Sequence, residues 1–432
     1  MVKVNKDIFE NVLYLNSTDI TQQNSADYYM AKILFITPMW HEEATPTDPK
    51  VCIFFVDEWV KQGHEVIVAH YRSQFPKLYL MLGRMLPALR KKICGDNSAM
   101  SLDTKETHYD HNGAKVLSIP ILKYVPHGSF RKATLDNHAQ RLQKELERIG
   151  FEPDAIIGHF CNPTVEIIER IRGKFNNAKT AVVFHDSAET IQRILGADAE
   201  RRLNQFDVLG YRSLSIQRSI EGAYRLSNHR FICYSGIASS FLERECPNRK
   251  WDDGLVRNFL FVGRMVFYKH PQAVAEALYE VYPQKDFFLR YIGQEDTATK
   301  STSDYVLNNQ LGDAVSFLGK IEREKIINWY DKSDCFVMIS DHEVFGLVYL
   351  EAMSRGCITI AGNNGGMEGI IKSGENGFLC TPGNAEELAS IINMINKMSA
   401  AEKKKISDNA KQTARDFSDW NAAELYLKNI FK

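Results

Sequence analysis

Two neighbouring stretches decide the fold class: MAKILFITPMW (Met30–Trp40) and VCIFFVDEWVKQGHEVIVAHY (Val51–Tyr71). The first is an apolar run that ends in a loop. The second opens with a helical spacing of apolar residues, halts at Gly63 and passes into EVIVAH, a further buried strand. Strand, helix and strand in succession predict a β-α-β unit. Outward from it come AKVLSIP, DAIIGHF, TAVVFHD and RFICYSG, with helical patterns between them. Runs without polar alternation indicate strands covered on both faces, and hence a parallel sheet between helical layers. A polar interruption, ERECPNRKWDDG (Glu243–Gly254), precedes a second series: NFLFVGR, FFLRYIG, AVSFLGK, CFVMIS, CITIAG and GFLC. The expected architecture is α/β, with two doubly wound domains facing across a cleft. The expected division is an extension over 1–29, a first domain over 30–243, a linker over 244–257, a second domain over 258–415, and a closing helix over 416–432.

Composition narrows the function. At 432 residues the chain suits two domains, and its net charge of −1 gives no reason to expect nucleic-acid binding. Eight cysteines stand apart, without a C-x-x-C pair or a companion histidine at zinc spacing, which suits a reducing cytoplasm. No metal is required by the sequence, and no G-x-x-x-x-G-K-[ST] or G-x-G-x-x-G loop is present.

In open parallel sheets, ligands bind beyond the carboxyl ends of the strands. His159, His185, Arg264 and Glu343 all follow such ends. In FVGRMVFYKHP, Arg264 and Lys269 are cations near a helix start, suited to a diphosphate. In DHEVFGLVYLEAMSRG (Asp341–Gly356), Glu351 lies on a helix that is apolar nearly all round, so its carboxylate needs a partner. Either an internal arginine or a ligand would serve. Glu343 precedes that helix, where it could cap the N-terminus or meet a ligand.

EVFGLVYLEAMSRG resembles the E-x7-E signature of glycosyltransferase family 4, retaining enzymes of the two-domain, Rossmann-like GT-B fold. FVGRMVFYKHP, FLGKIEREKIINWYDKSDCFVMIS and IKSGENGFLCTPGNAEELASII extend the likeness. The resemblance implies a hexose-type transferase that takes a UDP- or GDP-sugar, without a cofactor, to a glycan or lipid-linked acceptor in bacterial surface polysaccharide assembly. It also implies roles. Glu343 would bind donor-sugar hydroxyls and Glu351 the ribose. Arg264 and Lys269, with N–H groups of Gly346, Leu347 and Val348, would hold the diphosphate. His159 would orient the sugar. DFSDWNAAELYLKNIF resembles the family's last helix, which returns to the first domain. There are departures: Cys52 stands where the family has a glycine, and GGMEGI (Gly365–Ile370) stands for GG-x-P-E-x-I. They motivate an alternative, a catalytically lapsed protein that binds sugar nucleotides or a partner.

HYRSQFPKLYLMLGRMLPALRKKICG (His70–Gly95) lacks acidic residues and carries Arg72, Lys77, Arg84, Arg90, Lys91 and Lys92. Its apolar stripe and basic edge over residues 72–93 fit a helix lying on an anionic membrane. A pair of core-packed helices with a solvated basic edge fits equally. The expected location is cytoplasmic, peripheral on the inner face of the membrane.

Overall fold

Alternate residues of one strand feed two different cores. In β1 (Lys32–Thr37), Ile33 and Phe35 point into one buried cluster and Leu34 and Ile36 into another. The period of two therefore survives, but both faces are apolar, which is why the run reads as continuous. The computed structural model describes residues 30–41, 52–75, 105–124, 128–246, 251–341, 343 and 345–432. The expected extension over 1–29 lies outside them.

β1 is joined by β2 (Glu65–Gln74), β3 (Thr107–His111), β4 (Ala114–Leu122), β5 (Ala155–His159), β6 (Lys179–Phe184), β7 (Val208–Tyr211) and β8 (His229–Ile232). They form an eight-stranded sheet in the order β3-β4-β2-β1-β5-β6-β7-β8, parallel except for β3, which pairs antiparallel with β4. Two of these strands carry no long apolar run in the sequence. β3 is polar because it is an edge, and β7 is only four residues long.

The second sheet is wholly parallel, in the order β11-β10-β9-β12-β13-β14, with β9 (Asn258–Val262), β10 (Phe288–Ile292), β11 (Val315–Phe317), β12 (Cys335–Met338), β13 (Ile358–Gly362) and β14 (Phe378–Cys380). The apolar runs from NFLFVGR to GFLC all become its strands.

The crossing between domains comes earlier than the interruption at 244–257 suggests. Ile237 and Phe241 are already buried in the second domain's core. Apolar burial, not the polar composition of the following stretch, sets the boundary. The chain returns at its end: Ile237 donates its backbone N–H to the carbonyl of Phe417 and accepts from the N–H of Asp419, and the helix Asp419–Ile430 lies on the helix Ile53–Lys61. Ala423, Tyr426, Leu427 and Ile430 complete the first domain's core, and Trp59 Nε1 donates to the carbonyl of Ala423 at 3.0 Å.

The half-buried Asp419 sits at this junction. Burial raises its carboxyl to about 6, Glu58 pushes the same way, and Arg323 and Lys61 oppose. An aspartate in the unfolded chain titrates near pH ~3.9. Between those values the folded protein holds a proton that the unfolded chain has released. Its stabilising contribution is therefore full below about pH 4 and is lost as pH rises through about 6. Asp419→Asn, which carries no charge, is expected to raise stability at neutral pH by about 1–3 kcal/mol, and by little near pH 4. Urea unfolding at the two pH values measures the difference.

Candidate functional site

The loop after β9 and the loop after β12 are stapled together. Asp341 donates its backbone N–H to the carbonyl of Tyr268 at 2.7 Å, the Ser340 hydroxyl lies 3.3 Å from the same oxygen, and His270 Nε2 is 2.8 Å from Asp341 Oδ2. His270 itself is left-handed, with φ 49°, immediately before Pro271 starts the next helix. This turn brings Lys269 across the end of the sheet, its ammonium 2.9 Å from Glu343 Oε2. The pair is close but not aligned as a hydrogen bond, which leaves that buried oxygen without a hydrogen-bond partner. Arg264, half exposed, is 3.8 Å from Asp296.

Gly346 caps the helix Leu347–Ser354 with φ 77°, and a Cβ there would lie 2.5 Å from the Tyr349 ring. Only glycine suits that turn. The first-turn N–H groups of an α-helix have no intrahelical acceptors. A helix end with Lys269 and Arg264 nearby is therefore suited to anions. The loop after β13 closes in from the other side: a Cβ on Gly366 would fall 2.2 Å from Phe345 Cα. Next to it, Glu368 forms a two-pronged ion pair with Arg218 of the first domain, at 2.7 and 2.5 Å. Tyr234 of the first domain faces Phe345 with ring centroids 5.7 Å apart. The glutamate in GGMEGI thus ties the two domains across the cleft.

Arg264, Lys269, Glu343 and the start of the helix at Gly346, Leu347 and Val348 gather at the carboxyl ends of β9 and β12. Glu351 is different. Its side chain is 4% exposed, Arg323 Nε and Nη2 donate to Oε1 at 2.9 and 2.6 Å, and Tyr330 donates to Oε2 at 3.0 Å. Of the two partners its burial demands, the protein supplies the internal arginine. No local signal announces Arg323, which belongs to a different helix, Arg323–Asp331.

His159, at the end of β5, is likewise turned inward. It is wholly buried, with Nε2 2.9 Å from the Tyr426 hydroxyl, and Nδ1 2.9 Å from His185 Nε2 and 3.3 Å from Cys52 Sγ. Burial, followed by the charge of Arg212, keeps its imidazole well below the ordinary value and so neutral. The half-buried His185, lowered by burial, His159 and Arg212, is the one of the pair with a face to solvent. The closing helix packs against β6, and its Tyr426 covers His159.

The basic stretch lies mostly outside the described residues, but Arg72 lies within them. It is buried and donates to Ser118 Oγ and to the Lys105 carbonyl, both at 2.7 Å, so it is a packing residue and not a lipid contact. Among the described residues, no helix is long and apolar enough to cross a membrane.

Residues 254–413, within the second domain and its approach, match the family model described as Glycosyl transferases group 1. An uncharacterized glycosyltransferase of Methanocaldococcus jannaschii is 25% identical over 262 residues, which cover 56% of this chain and 72% of that protein. The sulfoquinovosyl transferase of Arabidopsis thaliana is 33% identical over 116 residues, 26% of this chain and only 22% of its own length. Among solved structures, Anabaena HepE in complex with UDP and glucose superposes with a TM-score of 0.60 at 18% identity, covering 93% of this chain and all of that one. The last likeness establishes the GT-B arrangement of two domains. Together, the family match and the relatives indicate a transferase of sugars.

The Glu351 pair has a testable consequence in the absence of any ligand. Glu351→Ala removes the hydrogen bonds it receives from Arg323 and from the Tyr330 hydroxyl, and is expected to cost about 1–3 kcal/mol. A wild-type urea midpoint in that variant would show that the carboxylate is not bracing the fold.

Proposed function

We propose that the protein is a retaining glycosyltransferase that moves a hexose-type sugar from a UDP- or GDP-sugar to a hydroxyl of a glycan or lipid-linked acceptor, in bacterial surface polysaccharide assembly. One observation carries the reading: Lys269 is paired with an incompletely bonded Glu343 at the glycine-capped start of the helix Leu347–Ser354. Cation, carboxylate and helix dipole meet where a diphosphate and a polyhydroxylated ring could lie side by side. Lys269 and the half-exposed Arg264 hold the diphosphate with the N–H groups of Gly346, Leu347 and Val348. Arg264 is free to do so because its tie to Asp296 is long, at 3.8 Å. Glu343 accepts hydrogen bonds from sugar hydroxyls, and the donor's diphosphate draws Lys269 away from it.

In this reading the bond from the anomeric carbon to the phosphate oxygen breaks. The acceptor hydroxyl forms its bond on the same face, and its proton passes to the departing phosphate. The cations stabilise the charge that gathers on the nucleoside diphosphate. Glu351 braces the helix through Arg323 and Tyr330, and the ribose contact first expected of it would have to displace those partners. His159 supports the first domain from within and does not touch the sugar.

Two measurements separate these roles. Lys269→Ala should weaken nucleoside-diphosphate binding by about tenfold to a hundredfold, the loss of one charge-assisted contact. Glu343→Ala should keep that affinity and lose transfer, since only the intact donor offers it a sugar. Calorimetry with UDP and GDP, and turnover with a panel of nucleotide sugars, give both values. Turnover retained in Glu343→Ala would remove its sugar contact, and donor binding with no turnover in wild type would favour a lapsed enzyme.

A lipid-linked acceptor would place the enzyme at an anionic membrane, through the basic residues that follow Arg72 and run to 93. Wild type should then sediment with anionic vesicles in low salt, and Arg84→Glu with Lys91→Glu should release it. Equal sedimentation with neutral and anionic vesicles would count against this contact.

A further inference from the structure

Three side chains far apart in sequence converge at the carboxyl edge of the first sheet. Cys52 stands at the start of the helix Ile53–Lys61, His159 ends β5, and His185 follows β6. Their ligand atoms, Sγ, Nδ1 and Nε2, all lie within 4.8 Å of one another. Hydrogen bonding serves this arrangement poorly. A neutral imidazole nitrogen holds either one proton or one lone pair. Yet His159 Nδ1 faces His185 Nε2 at 2.9 Å and Cys52 Sγ at 3.3 Å, so two partners compete for a single site. A cation placed among the three atoms would engage all of them.

We propose that Cys52, His159 and His185 bind one divalent cation of the zinc class, with a fourth coordination position open on the half-buried His185 side. Thiolate and imidazole together select Zn2+ over Mg2+ or Ca2+, which prefer oxygen ligands. Metal–ligand bonds of about 2.0–2.3 Å set adjacent ligand atoms roughly 3–4 Å apart, close to the spacing seen here. The supporting shell is also present. The Tyr426 hydroxyl, 2.9 Å from His159 Nε2, fixes that ring with Nδ1 toward the cluster, as the outer partner of a metal-bound histidine does. His185 is held by the Phe160 ring stacked on it at 3.8 Å, and Phe160 adopts a left-handed φ of 66° to reach that place. Burial pushes the Cys52 thiol up to about 12, so a bound cation must displace its proton, a change favoured by the neighbouring Arg212. Its own guanidinium is turned to the Cys233 carbonyl and the Ser235 hydroxyl. The cysteine that replaces the customary glycine of the first loop thus acquires a role. The site does not rest on the donor chemistry proposed above.

The test uses the full chain, stripped with a chelator and titrated with Co2+ as a spectroscopic stand-in, then with Zn2+. One equivalent of Co2+ should produce a thiolate-to-cobalt charge-transfer band in the near ultraviolet, and Zn2+ should abolish it and raise the thermal midpoint. Cys52→Ser, checked for folding by circular dichroism, should lose the band, while Cys246→Ser should keep it. His185→Ala, altered at the face nearest solvent, should weaken Co2+ binding at least about tenfold. No charge-transfer band in wild type, or a band that persists in Cys52→Ser, overturns the proposal. Should Cys52→Ser fail to fold, unchanged affinity in His185→Ala overturns it equally.

Discussion

Each parallel strand of this protein must be covered on both faces, and most of the architecture follows from that constraint. The first sheet meets it with two separate apolar clusters, one on each side. The cover on one side is incomplete without the chain's last helix. Phe55, Trp59 and Phe231 pack on Tyr426, which arrives from the far end of the sequence after the second domain has been built. Burying that face therefore also couples the domains: the segment that seals the first core is covalently continuous with the second.

The same constraint leaves the strand ends as the place for polar chemistry. With both faces of each sheet occupied by helices, side chains that must meet a ligand are confined to the loops beyond the carboxyl ends. In the second domain these loops pack so closely that Gly366 has no room for a Cβ beside Phe345. Lys269 follows directly on the backbone bond between Tyr268 and Asp341, a better basis for orientation than a long flexible loop. The bidentate pair between Arg218 and Glu368 crosses the cleft next to this site. Half of Arg218 faces water, so the pair adds little stability, and its geometric effect on the domain angle matters more.

Charged and titratable groups divide into those turned inward and those left at the cleft. Glu351 and His159 have their hydrogen-bonding capacity largely taken by Arg323, Tyr330, Tyr426, His185 and Cys52. Glu343 keeps an oxygen without a hydrogen bond, and Arg264 stays half exposed. Residues that stand at equivalent strand ends in the sequence thus differ sharply in what they can still bind, and burial makes the difference.

Hydrophobic patterning was enough to determine the two parallel sheets, because strands buried on both faces leave a run that needs no neighbours to be read. Local spacing also placed Lys269, Arg264 and Glu343 at loops after strands, and required a partner for Glu351, since a carboxylate on an apolar helix cannot stay unpaired. It could not name that partner: Arg323 and Glu351 lie on separate helices, and the ion pair depends on how those helices pack. The polar edge strand β3 and the short β7 were silent for a similar reason, as pairing with neighbours and not their own composition makes them strands. Ile237 shows the same limit at the domain boundary, since only packing reveals which core receives it. The meeting of Cys52, His159 and His185 belongs wholly to tertiary structure. Their spacing in the chain matches no metal motif, and they come together because parallel β5 and β6, and the helix that follows β1, deliver their ends to one edge of one sheet.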